Sequence, residues 1–173
     1  MGGSGCANRG SWRDSSRESA GLAPLPVDEK QAVVQAYAAR VWGWRGFFAD
    51  HTWIATKAAN ADQYTVYEVV GWRLRGGGSA LRIEKDAPDR KWFGSTPELL
   101  LDIRGEQAAE LVPLVDTAAK QYPYPDTYRA FPGPNSNTFT AWVAQQVPRL
   151  GLNLPLRAVG KSYLLITPNP AEK

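Results

Sequence analysis

Cysteine and histidine are almost absent from this chain, which has one of each among its 173 residues. A single cysteine cannot close an internal disulfide, and a single histidine cannot build a His-rich metal site. The sequence therefore predicts no structural zinc and no other cofactor. It also contains no run of eighteen apolar residues, so no membrane-spanning helix is expected in the sequence as given.

Neither sign of charge is in large excess, because the chain contains 20 Lys and Arg residues and 17 Asp and Glu residues. The basic residues are scattered among the acids, which argues against a nucleic-acid partner. Nucleic-acid binding would have to use Arg73, Arg75, Arg82 and Arg90, and it would predict retention on DNA or RNA that weakens steeply with salt. We rank this hypothesis last.

The N-terminal part is rich in Gly, Ser, Arg and Pro, which predicts a flexible leader over residues 1–26 and a single globular domain over 27–173. Residues 1–5 are typical of a cloning scar. Residues 4–7 also resemble the end of a bacterial lipoprotein signal, in which small residues precede an acylated cysteine. Two interpretations stay open: Cys6 is a lipid anchor, or it is a free cysteine in the leader.

Four stretches rich in Thr, Tyr, Val, Ile and Trp predict β-strands, at residues 51–57, 64–72, 80–84 and 98–103. Three neighbouring antiparallel strands are enough for a stable sheet. Glycines 76–78 are expected to form a turn, since neither a Lys-Ser or Lys-Thr pair nor a helix start follows them, as a phosphate-binding loop requires.

Helices are predicted at 28–41, at 106–121 and from Ser136 onwards, with a short strand at 162–166. The first begins at a capping box formed by Asp28 and Gln31. Its apolar face would contain Val33, Val34, Tyr37, Ala38 and Val41. Pro113 should kink the second helix or make it restart. The element order predicts an α+β fold with an antiparallel sheet of about four to five strands packed against helices.

The third helix follows a stretch of prolines, a glycine and polar capping residues, which puts Ser136 at or beside its N-cap. The first-turn N–H groups of a helix lack partners and carry partial positive charge, so such a site suits an anion or a developing oxyanion. Helix capping alone would select the same residue types.

His51 opens the first predicted strand, and Glu68 interrupts an otherwise apolar one. If the hairpin pairs Lys57 with Tyr64, His51 and Glu68 share one face at a diagonal spacing within reach of each other. Glu68 could then hold the imidazole as the acid of a catalytic triad does. Alternatively, Glu68 faces solvent at an edge or pairs with Arg73, Arg75 or Arg82. A lone histidine on a strand is also commonly a packed or surface residue.

Aromatic residues are densest at positions 42–48. They could cap one end of the core, or they could form a patch that touches lipid or an apolar substrate. In the second case, an acyl chain would be bound by Trp42, Trp44, Phe47 and Trp53.

Five strings resemble a bacterial family described as domain of unknown function 3750. They are YAAR at 37–40, WRG at 44–46, HTWIA at 51–55, YEVVGWR at 67–73 and GPNSNTF at 133–139. The resemblance extends over most of residues 20–165. It implies a setting in the bacterial cell envelope, on the periplasmic face of a membrane. Members of the family usually begin with an apolar segment, so attachment would be through such a further N-terminal segment or, on the lipoprotein interpretation, through Cys6. It implies nothing about chemistry.

A more distant likeness is to circularly permuted papain-like proteins, including NlpC-type amidases and lecithin retinol acyltransferase relatives. In these, a histidine starts the first core strand and a cysteine nucleophile follows at a helix N-terminus, often as Asn-Cys-x-x-Phe. Here the order is His51 and then Asn135-Ser136, with serine in place of cysteine. A serine hydroxyl needs a base to remove its proton during attack. If the alignment slips, Asn137 or Thr138 takes this position.

The likeness implies hydrolysis or transfer of an acyl group from an amide or ester, with a lipid, lipoprotein or peptide amide as substrate. Ser136 would be the nucleophile, His51 the general base, and Glu68 or a nearby polar side chain the group that orients it. The oxyanion would be held by backbone N–H groups of Asn135, Asn137 and Thr138. The alternative is a papain-like binding or scaffold domain without catalysis, tethered to the envelope, which the replacement of cysteine favours.

Overall fold

The computed structural model describes residues 17–41 and 49–166. Its centre is a five-stranded antiparallel sheet with the strand order β4-β3-β2-β1-β5. The strands are β1 (Val33–Arg40), β2 (Asp50–Lys57), β3 (Thr65–Val69), β4 (Leu81–Lys85) and β5 (Glu98–Arg104). The helices are α1 (Glu106–Lys120), α2 (Ser136–Gln146) and α3 (Tyr163–Ile166). The predicted α+β class and antiparallel sheet are confirmed.

The first predicted helix is wrong, because Val33–Arg40 is strand β1. This strand pairs with β2 on one side and β5 on the other, and all of its residues except Arg40 are buried. A strand covered on both faces is apolar at nearly every position. Such a run also contains apolar residues at helical spacing, which explains the false helix signal.

The predicted hairpin of β2 and β3 is confirmed in its register. Ile54 lies opposite Tyr67 and Thr56 opposite Thr65, the register in which Lys57 faces Tyr64. Strand β3 ends earlier than predicted, and Gly71–Gly76 forms a 3-10 helix. A Cβ atom on Gly71 would lie 2.4 Å from the Tyr128 ring, so this close approach requires glycine.

The helical predictions for α1 and α2 are confirmed. Two other predictions, one on Pro113 within α1 and one on residues 162–166, differ from the structure. Helix α1 continues through Pro113 instead of restarting. Pro113 and Ala109, whose carbonyl loses its usual donor, are both exposed, so water can take the place of that hydrogen bond. The strand predicted at 162–166 is wrong: short-range bonds such as Tyr163 N–H to the Gly160 carbonyl coil this segment into α3.

Apolar residues fill both faces of the sheet. On one face, Val34, Ile54 and Tyr67 pack against Leu111 of α1 and Phe139 of α2. The other face has a second apolar cluster of Val33, Tyr37, Trp53, Val66 and Trp92, with Ala23 packed against it.

The N-terminal segment helps to cover this second face. The buried carboxylate of Asp89 accepts hydrogen bonds from the Ser19 hydroxyl and from the backbone N–H groups of Leu22 and Ala23. The packed structure therefore includes residues that the sequence assigned to the flexible leader. No helix in residues 17–41 and 49–166 is long and apolar enough to cross a bilayer.

Candidate active site

Helix α2 begins with a complete capping box. The N-cap is Asn135, whose side-chain Oδ1 accepts the backbone N–H groups of Asn137 at 2.9 Å and Thr138 at 3.2 Å. In return, the Thr138 hydroxyl oxygen accepts the Asn135 N–H at 3.1 Å. This arrangement satisfies the donors that a helix start otherwise leaves unpaired.

The capping box corrects the predicted oxyanion site. The N–H groups of Asn135, Asn137 and Thr138 each already have an acceptor within the chain. They are therefore not available to an oxyanion in this arrangement. The backbone N–H of Ser136, at the first helical position, has no acceptor among the described residues.

The other polar side chains of this stretch attach α2 to its neighbours. The Asn137 amide donates to the backbone carbonyls of Asp50 at 2.9 Å and Val159 at 2.8 Å, and it accepts from the Thr52 hydroxyl at 2.9 Å. The Thr138 hydroxyl donates to a backbone carbonyl of the C-terminal segment at 2.8 Å. Both side chains are thus structural, which disfavours the slipped alignments that would put either at the nucleophile position.

Ser136 differs from these neighbours. Its hydroxyl makes no hydrogen bond to any described residue, and the side chain lines a cavity. Helix capping does not explain why a serine is present at position 136, since Asn135 is the N-cap. Ser136 is therefore the polar residue of the motif that remains available for chemistry.

His51 and Glu68 are in direct contact. The imidazole Nε2 lies 3.0 Å from Glu68 Oε2, and the Glu68 side chain is fully buried. The other carboxylate oxygen accepts from Arg82 at 2.8 Å and from Arg90. Burial alone would raise the pKa of Glu68, but the His51 hydrogen bond and the Arg90 charge outweigh it and lower the pKa to about 2.

The charge of Glu68 fixes the tautomer of His51. An ionised carboxylate only accepts hydrogen bonds, so Nε2 carries the hydrogen and the lone pair of the neutral ring is on Nδ1. Burial lowers the pKa of His51, and the hydrogen bond to Glu68 opposes this only in part. His51 is therefore a neutral imidazole at neutral pH, with Nδ1 able to accept a proton.

Aromatic rings surround the histidine. The Trp92 indole stacks on the His51 ring with centroids 3.6 Å apart and planes 9° from parallel. Trp72 and Phe93 pack against Trp92. The sequence patterns did not single out Trp92 and Phe93 as site residues, although an adjacent Trp-Phe pair directly before a glycine is a signal of an aromatic turn.

His51 of β2 and Ser136 of α2 line one cavity of about 380 Å³, which we call the aromatic cavity. Its other lining includes Asp50, Trp72, Trp92, Phe93, Tyr128, Phe131, Asn135 and Asn137. Phe131 is 78% exposed and Trp72 is 44% exposed, so apolar rings extend from the cavity to the surface. No hydrogen bond joins the Ser136 hydroxyl to the His51 ring in the part of the chain described.

Of the predicted acyl-binding aromatics, Trp53 is the one that lies within the described residues. Trp42, Trp44 and Phe47 lie outside the described residues, as does Cys6. Trp53 is fully buried, stacks on Tyr37 at 5.5 Å and donates its indole N–H to the Pro88 carbonyl. It is a core residue of the second apolar cluster and does not line the aromatic cavity.

Fold and site together define an α+β protein with a buried His–Glu pair beside a helix-terminal serine. Residues 31–163 match the family model described as Protein of unknown function (DUF3750), and the chain belongs to this family. This confirms the family resemblance seen in the sequence. Comparisons with curated proteins and with solved structures gave no significant match.

Proposed function

We propose that this protein is an acyl hydrolase or acyltransferase in which Ser136 is the nucleophile and His51 the general base. The observation that carries the proposal is the shared aromatic cavity: it is lined by a serine whose hydroxyl makes no hydrogen bond to a described residue and by an imidazole oriented by a buried carboxylate. Nucleophile, base and orienting group are the three parts that acyl transfer through serine requires.

In the proposed reaction, Ser136 Oγ forms a bond to the acyl carbon while its proton passes to His51 Nδ1. The bond from the acyl carbon to the leaving oxygen or nitrogen then breaks, and the leaving group takes that proton. Water, or the alcohol or amine of an acceptor, attacks the acyl-serine and gives its proton to Nδ1. That proton returns to the serine oxygen as the acyl group leaves.

The backbone N–H of Ser136 is the proposed oxyanion donor. It lies at the first position of α2, an eleven-residue helix whose N-terminus carries partial positive charge. It is also the first-turn donor that the Asn135 cap does not engage. A donor of this kind stabilises negative charge that develops on the acyl oxygen.

The aromatic walls favour an apolar acyl chain, and so a lipid or lipoprotein substrate over a polar peptide amide. Trp72, Phe93 and Phe131 offer ring surface along the cavity. The order of the His51 strand and the Ser136 helix supports a permuted papain-like ancestry. We also propose the periplasmic face of the bacterial envelope as the location, with Cys6 or a further N-terminal segment as the attachment.

Esters of p-nitrophenol with increasing acyl length test the proposal. We expect turnover that rises at least about tenfold in kcat/KM from acetate to octanoate, because each buried methylene adds favourable transfer energy. Ser136→Ala should reduce the rate to background. Ser162→Ala, which removes an exposed serine outside the aromatic cavity, should leave the rate unchanged. A wild-type rate equal to that of Ser136→Ala would contradict the proposal.

The second candidate is a non-catalytic binding domain that uses the same cavity. Serine at the position of the papain-like cysteine favours it, as does the lack of a hydrogen bond between Ser136 and His51 in the described structure. This candidate predicts that a fatty acid such as octanoate binds wild type and Ser136→Ala equally, and that neither hydrolyses the esters. The two functions are thus separated by the same pair of variants.

A further inference from the structure

A second cavity of about 410 Å³ is lined by Glu68 and shares Trp72 with the aromatic cavity. We call it the arginine pocket, because four arginines line it: Arg17, Arg73, Arg82 and Arg90. The acidic residues in its lining are Glu68 and Asp86. The proposed acyl chemistry uses Glu68 to orient His51 but assigns no ligand to this pocket.

The carboxylates in the lining do not balance the arginines. Arg82 bridges Glu68 at 2.8 Å and Asp86 at 2.6 Å, and Arg90 also binds Glu68. Two cations and two anions are thereby matched, and Arg73 and Arg17 add positive charge to the same lining. The Glu84 side chain, which pairs with Arg73, is 45% exposed, so solvent screens that pair.

Arg90 provides an independent sign of a missing ligand. Its side chain is 1% exposed, and its Nε and Nη1 atoms make no hydrogen bond to a described residue, although Nε lies 3.6 Å from the Asp86 carboxylate. The guanidinium lies 5.6 Å from the Trp53 ring and 5.7 Å from the Trp92 ring, which hold it in place. Buried donors without acceptors are costly, and the planar guanidinium fork matches the oxygens of a phosphate.

We propose that the arginine pocket binds a phosphate monoester group. Such a group carries a charge of about −1.5 to −2 near neutral pH, which complements a lining that contains four arginines and two carboxylates. The group could belong to a soluble phosphorylated molecule or to a lipid headgroup. Trp72 lines both cavities, so the phosphate binds next to the aromatic cavity. The proposal does not depend on turnover at Ser136.

Calorimetric titration of the full chain with inorganic phosphate, at constant ionic strength set by chloride, tests the site. Arg17→Gln and Arg73→Gln should each weaken binding about tenfold, the effect of losing one charge-assisted hydrogen bond. Arg75→Gln removes the same charge two residues from Arg73, outside the pocket lining, and should change the affinity less than about twofold. Circular dichroism of each variant checks folding. Absence of saturable binding, or equal losses in all three variants, would overturn the proposal.

A vesicle arm identifies the source of the phosphate group. A lipid headgroup is supported if the protein sediments with vesicles that contain phosphatidic acid but not with vesicles of phosphatidylcholine alone. This sedimentation should be lost in Arg73→Gln and retained in Arg75→Gln. Binding of inorganic phosphate without vesicle binding supports a soluble phosphorylated molecule. If neither inorganic phosphate nor the vesicles bind, the proposed phosphate site is wrong, and the proposed acyl chemistry is not affected.

Discussion

Glu68→Gln is expected to lower the free energy of unfolding by about 3 kcal/mol, because it leaves buried cationic groups without their counter-charge. Arg90, which is 1% exposed, and Arg82 both bind the Glu68 carboxylate. Glutamine has nearly the same size and shape, so the change tests charge and not packing. Asp86 still contacts both arginines, so the expected loss of stability is at the lower end of the range for breaking a buried ion pair.

Glu84→Gln is the matched control for this prediction. Glu84 lies on β4 and also pairs with Arg82, but its side chain is 45% exposed. Its loss should cost less than about 1 kcal/mol. Urea unfolding followed by tryptophan fluorescence measures both variants. Equal effects of the two substitutions would show that Glu68 is not the anchor of this ion network.

The same variant should change how stability depends on pH. The pKa of Glu68 is lowered in the folded state, so the carboxylate contributes stability that is fully present above its ordinary value of 4.5. That contribution is lost as the pH falls from 4.5 towards about 2. We expect wild type to lose stability across this window and Glu68→Gln to lose less. Parallel curves would contradict the lowered pKa.

His51→Gln is expected to reduce kcat/KM on a p-nitrophenyl ester by about 10² to 10⁴, the usual contribution of a general base. Glutamine can still donate an N–H to Glu68, so the ion network is kept while the proton acceptor is lost. The variant should stay folded and unfold cooperatively, with a loss of about 1 kcal/mol in stability from the lost stacking of His51 on Trp92. A normal rate in a folded His51→Gln protein would remove His51 from the mechanism.

The pH profile provides a second readout of His51. Burial lowers its pKa below the ordinary 6.5, so the base is deprotonated at pH 6.5 and above. The acid limb of kcat/KM should therefore have its midpoint below 6.5. Because the chain has one histidine, its ring resonances need no assignment, and an NMR titration gives the same pKa independently. A midpoint above 6.5 would contradict the buried, neutral imidazole.

The contact between His51 and Glu68 could be predicted only for one register of the hairpin, because a one-residue slip would reverse the faces of both strands. The sequence equally allowed Glu68 to pair with Arg82, and the structure shows that pair as well. The register that predicts the His51 contact places Lys57 opposite Tyr64. That register is the observed one. Both residues then lie on one face, where the hydrogen bond forms. Strand β5 and helix α1 were also predictable, because their patterns are local.

What the sequence could not predict depends on distant contacts. Strand β1 has helix-like spacing only because it is buried on both faces. Four polar residues at 135–138 were equally suited to capping, and it is the fold that assigns this role to Asn135. The stacking of Trp92 on His51 and the binding of Arg90 to Glu68 bring a loop onto strands far along the chain. Local sequence patterns do not predict contacts between residues so far apart in the chain.

Reaction with a serine-directed fluorophosphonate, followed by mass spectrometry of the peptides, tests the central claim most directly. The account predicts a single phosphonylated residue, Ser136, and labelling that is strongly slowed in His51→Gln and abolished in Ser136→Ala. Wild-type protein that stays unlabelled, or labelling that is unchanged in His51→Gln, would contradict a Ser136–His51 acyl-transfer centre and leave the binding-domain alternative.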